Sequence, residues 1–77
     1  MALITTLERG DMQRMQLHEA AEARYFEQEL DGRKLLQIST FGRPTRDIPG
    51  KVSQTIQLNE ESAEQLFKIL KQHFGFS

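Results

Sequence analysis

With 77 residues, a formal net charge of −1, no cysteine and only two, widely separated histidines, the chain makes one domain spanning residues 1–77. Disulfides and thiolate metal sites are excluded, no cofactor or metal is expected, and so small a core points to a second copy as the remaining source of stability. The apolar run Ala2 to Ile4 is too short for a signal peptide or a membrane span, so a cytoplasmic protein without membrane contact is expected.

The first element is "ALITTLE", residues 2–8, which reads as a short strand. In "DMQRMQLHEAAEAR", residues 11–24, the Met, Gln, Ala and Glu content suits a helix by propensity. The alternation of Leu17, Glu19, Ala21 and Ala23 with His18, Ala20, Glu22 and Arg24 suits a strand running into Tyr25. Both forms stay open, and the extended one is expected.

A hairpin follows, with Asp31-Gly32 between two β-compatible runs, "ARYFEQEL" and "RKLLQISTF". A two-residue loop would pair Leu30 with Arg33 and Phe26 with Gln37, which mixes both faces. A three-residue loop with Gly32 left-handed pairs Glu29 with Arg33 and Phe26 with Leu36. That register groups Phe26, Leu36 and Ile38 on one face and Tyr25, Gln37, Ser39 and Phe41 on the other, and the hydrophobic pattern selects it.

The last third predicts strand then helix. In "VSQTIQL", Val52, Gln54, Ile56 and Leu58 alternate with Ser53, Thr55 and Gln57. Asn59 is a good N-cap, and Glu60 and Glu61 suit the positive end of a helix dipole. Ala63, Leu66, Phe67, Leu70 and Phe74 recur at helical spacing, and Gly75 stops the helix. The expected fold is therefore α+β, a four-stranded antiparallel sheet in the order β-β-β-β-α, with one C-terminal helix on one face and two copies in a homodimer.

Little in the chain suggests catalysis. His18-Glu19-Ala20-Ala21-Glu22 begins like a zinc-protease helix but lacks the second histidine, and Gly42 and Gly50 have the wrong spacing for a phosphate loop. The charge is uneven instead. Residues 1–31 hold three arginines against seven acids, residues 32–51 hold five bases against Asp47 alone, and residues 52–77 hold two lysines against three acids. The expected polar sheet face, with the aromatic planes of Tyr25 and Phe41, is bordered by Arg33, Lys34, Arg43, Arg46 and Lys51. Stacking planes beside cations are what a single nucleic-acid strand requires.

The pieces "ELDGRKLLQISTF", "IPGK" and "TIQLNEESAEQLFKIL" resemble the core of the positive-cofactor-four type of single-stranded-DNA-binding transcriptional regulators, which share a Whirly-like fold. The resemblance covers about the last two-thirds of the chain. It implies a homodimer whose sheets bind single-stranded DNA or RNA, a role in transcription regulation, and a nucleoid-associated location. By position, Phe41 takes the place of the family's strand-end aromatic, and Lys51 the basic place after Pro49-Gly50. Val52-Ser53-Gln54 departs from the family's Lys-Gly-Ile after the loop. The rival expectation is a protein-interaction module whose basic loop docks an acidic partner, such as part of the transcription machinery.

Overall fold

The computed structural model describes residues 1–41 and 52–77. Its elements are β1 (Ala2–Ile4), β2 (Ala23–Leu30), β3 (Arg33–Phe41), β4 (Val52–Leu58) and α1 (Glu60–Phe74), and the sheet order is β1-β4-β3-β2. The domain is α+β, as expected. The sheet is mixed rather than antiparallel throughout: β2/β3 and β3/β4 are antiparallel, but β1 runs parallel to β4, with Ala2 opposite Ile56 and Ile4 opposite Leu58. A short turn forces its two strands to be antiparallel. β1 is free of that constraint, because residues 5–22 carry the chain from one edge of the sheet to the other.

The first strand is shorter than expected, and residues 11–22 form neither the extended strand nor the helix. Phe41, the last described residue of β3, donates its N–H to the Glu22 carbonyl at 3.0 Å, just before β2 begins.

The hairpin register also differs from the expected one. Leu30 pairs with Arg33, Tyr25 with Ile38 and Phe26 with Gln37, around a two-residue Asp31-Gly32 turn. Both turn residues have positive φ, 52° at Asp31 and 75° at Gly32. That combination follows the right-handed strand twist, and Asp tolerates it because its short polar side chain bonds locally. The hydrophobic pattern had no leverage here, since every residue of β2 is exposed. Turn geometry therefore sets the register.

Two faces result. The aliphatic face holds Leu36, Ile38, Ile56 and Leu58, with Ile4 from β1 and Tyr25 from β2. The polar face holds Gln37, Ser39, Thr55 and Gln57, with Arg24, Phe26 and Phe41. A register shift between Thr40 and Phe41 places Val52 opposite Phe41 rather than in line with Gln54, Ile56 and Leu58. One extra residue in a strand does this by flipping the side chains beyond it to the other face.

The helix starts where its caps dictate. The Asn59 side chain accepts from the Ser62 N–H at 2.9 Å, and the Ser62 hydroxyl accepts from the Asn59 N–H at 3.0 Å. These reciprocal bonds satisfy two backbone donors. Glu60 and Glu61 occupy the first turn, Lys71 and His73 the last, and Gly75 closes the helix at φ 76°. Glu64 and Lys68 pair across one turn at 3.2 Å. After β1, the Leu7 N–H donates to Gln65 Oε1 at 2.8 Å, tying the N-terminal segment to the helix. No helix among the described residues is long and apolar enough to cross a membrane.

Leu58 is the one buried large apolar side chain among the described residues, at 2% exposure. Leu58→Ala should therefore lower stability by about 2–5 kcal/mol, the range for truncating a buried leucine. Asn59→Ala should cost about 1 kcal/mol through the lost cap. Urea melts at one fixed protein concentration give both values, and a smaller loss for Leu58→Ala would contradict this packing.

Candidate nucleic-acid interface

The centre of the polar face is a hydrogen-bonded ladder across two strands. Gln57 Nε2 donates to Gln37 Oε1 at 3.1 Å, and Gln37 Nε2 donates to Ser39 Oγ at 3.2 Å. Ser39 Oγ lies 3.3 Å from Thr55 Oγ1. Strand alternation creates this arrangement: positions two apart on β3 meet positions two apart on β4. The amides hold one another's orientation, and Ser39 is 2% exposed yet satisfied. Leu3 of β1 lies opposite Gln57 and bounds the ladder on that side.

One end of the ladder carries aromatic and cationic groups. The Arg24 guanidinium sits over the Phe41 ring, 4.9 Å from its centroid. Arg24 pairs with Ser39 and Phe26 with Gln37, so all three side chains project to the polar face. An arginine stacked on an aromatic ring is itself a flat, charged platform, suited to a base and to a phosphate.

The expected site residues are divided by this geometry. Phe41 and Arg33 share the polar face but lie at opposite ends of β3, about 27 Å apart at strand rise, so one nucleotide cannot touch both. Lys34 stands opposite Glu29 on the other side of the sheet. Tyr25 faces Ile38 on the aliphatic side, not Phe41 as expected, and this follows from the two-residue turn. Arg43, Arg46, Lys51 and the side chain of Ser53 lie outside the described residues. The structure adds Arg24 and Phe26. Their signal was present in sequence, since in the two-residue register the even positions of β2 share the face of the odd positions of β3.

Among the described residues, no group of three His, Cys, Asp or Glu side chains could hold a metal ion. No family model, no curated protein and no solved structure matches the chain.

Because Ser39 joins Gln37 to Thr55, Ser39→Ala should destabilise the protein by about 0.5–1.5 kcal/mol, the net value of such bonds. Gln28→Ala, at an exposed position of β2, should change stability by less than about 0.5 kcal/mol. Thermal or urea unfolding of the two variants checks the order, and equal losses would mean the ladder adds nothing.

Proposed function

We propose that this protein is a non-catalytic, single-stranded nucleic-acid-binding homodimer acting in transcription regulation, cytoplasmic and nucleoid-associated. The observation that carries the reading is the polar face itself: an oriented amide and hydroxyl ladder ending in the Arg24–Phe41 stack. Bases find a stacking plane there and hydrogen-bonding groups beside it, and the guanidinium meets the backbone. The five bases among residues 32–51 follow Phe41 or begin β3, which adds positive charge near both ends of the strand in sequence.

Self-association is supported by how small a core the described residues form, with Leu58 its one buried large apolar side chain. The chain exposes 7645 Å², whereas a compact 8.9 kDa monomer exposes about 4,800 Å². The excess is larger than the roughly 800 Å² per partner that a standard interface removes. The alternative occupant of the polar face is an acidic protein partner. Phosphate contacts make affinity fall steeply with salt, so the salt slope separates a nucleic-acid strand from a partner held mainly by shape.

A labelled single-stranded oligonucleotide should bind in fluorescence polarisation at low salt. Phe41→Ala should weaken binding by about 1–3 kcal/mol with little change in salt slope. Arg24→Ala should weaken it and reduce the slope by about 0.7, the value of one phosphate contact on a single strand. Tyr25→Ala should leave affinity unchanged, because its ring lies on the aliphatic side. Absence of oligonucleotide binding by the wild-type protein would overturn the nucleic-acid reading.

A further inference from the structure

The aliphatic side of the molecule carries a groove and, at the far end of the helix, a group that fits it. The groove encloses about 500 Å³ between the hairpin and the start of α1. Leu36, Leu58 and Ala63 supply its apolar lining, and Glu27, Glu29 and Glu60 line it against one cation among the described residues, Lys34. A cavity of this size lies within the roughly 300–1,000 Å³ range that takes a multi-ring ligand.

The C-terminus carries two largely exposed aromatic rings. Phe74 and Phe76 stack on each other with centroids 5.6 Å apart, and they are 62% and 60% exposed. They continue the exposed helical stripe of Phe67 and Leu70. The adjacent last turn is basic, with Lys71 and His73. Buried aromatic rings contribute about 150–250 Å² each to an interface, so leaving two in water is costly.

A chain cannot fill its own groove with its own tail. The 15-residue helix separates the two by about 22 Å at helical rise. The tail is also fixed at that end, since the Phe76 N–H donates to the Lys71 carbonyl at 3.0 Å behind the left-handed Gly75. A second copy has no such limit. Two α1 helices paired antiparallel about a two-fold axis bring the end of each beside the beginning of the other. Phe74 then lies near the small Ala63, and Lys71 and His73 lie near the acidic groove and the first-turn Glu60 and Glu61. The helix dipoles also oppose. Parallel pairing would instead set acidic turn against acidic turn.

We propose that the stacked Phe74–Phe76 pair of each copy seats in the Leu36–Leu58–Ala63 groove of a second copy, with the α1 helices antiparallel. The inference rests on the homodimer reading and names the surface that forms it. The groove is thus the socket of an exchanged C-terminal tail, and each half of the dimer supplies the apolar cover the other lacks.

The chain has no cysteine, so single cysteines report contacts cleanly. Ser77→Cys and Glu60→Cys leave both rings and the groove's apolar lining in place. Mixed in equal amounts and mildly oxidised, the two variants should give a disulfide-linked species of twice the monomer mass, with far less from either variant alone. Phe76→Ala in the Ser77→Cys chain should cut that product about tenfold, and Phe76→Ala alone should raise the dimer dissociation constant by about the same factor. Dominant cross-linking within the Ser77→Cys sample or the Glu60→Cys sample alone would overturn the antiparallel arrangement. A wild-type dimer by light scattering whose mixed variants form no cross-link would overturn the tail docking while leaving the homodimer standing. A wild-type monomer at micromolar concentration would overturn both.

Discussion

The two-residue turn at Asp31-Gly32 determines what each side of this sheet is made of. With both residues at positive φ, the strands must pair Leu30 with Arg33, and every β2 side chain is then assigned a face. Phe26 and Arg24 fall beside Gln37, Ser39 and Phe41, while Tyr25 and Glu27 fall beside Ile38 and Leu36. A shift of one residue would exchange the two sets. The Arg24–Phe41 stack and the acidic lining of the groove both exist because of this turn, although neither touches it. Local backbone geometry wins over side-chain segregation because β2 is an exposed edge strand, where burying one face gives no reward.

The opposite situation holds in β4, which lies between β3 and β1. There burial does discriminate, and Leu58 is the residue it favours. Packing nevertheless stops after the first turns of the helix. Ser62 is fully buried, but Phe67 is 65% exposed little more than a turn later. The radius of gyration, 14.7 Å, exceeds the roughly 11.5 Å of a compact domain of this length. A helix with an apolar stripe derives most of its stability from the surface that covers that stripe. Among the described residues that cover ends early, so the proposed self-association would draw on the same surface as folding.

Strand alternation in residues 52–58, the Asn59 cap and the spacing of Ala63, Leu66, Phe67 and Leu70 make strand and helix legible in the sequence, because each is a local signal. The four polar residues of the ladder are legible for the same reason. Three features are not. The parallel placement of β1 depends on a contact more than fifty residues away, to which no local pattern responds. Residues 11–22 have helix-favouring composition and strand-like alternation at once, so two local signals compete and neither form is taken. The face of Tyr25 depends on a choice between two turns for one Asp-Gly pair, and hydrophobic grouping is the wrong arbiter on an exposed strand. Arg24 is missed for the same reason, because only the two-residue register puts it on the face of Phe41.

The two sides of the sheet have different chemistry, and this would let the proposed self-association and strand binding coexist. The helix stripe and groove are apolar with an acidic border, while the polar face presents amides, hydroxyls and one stacked cation. A partner copy seated on the first, as proposed, would leave the second uncovered. Charge sharpens the division. At a net charge of −1, two copies approach each other without strong repulsion, but a polyanion gains little long-range attraction. Strand binding must then rely on short-range contacts, and one stacked base contributes only about 1–3 kcal/mol. A single face of this kind is weak. Two faces held in one dimer turn the second contact into an intramolecular event, and avidity rises without any new contact. A strand that bridges both copies stabilises the dimer in turn, because a ligand shifts the equilibrium towards the form it binds. The sparse core and the modest polar face are thus linked in the proposed reading, since an association that completed the fold would also multiply the face offered to a strand.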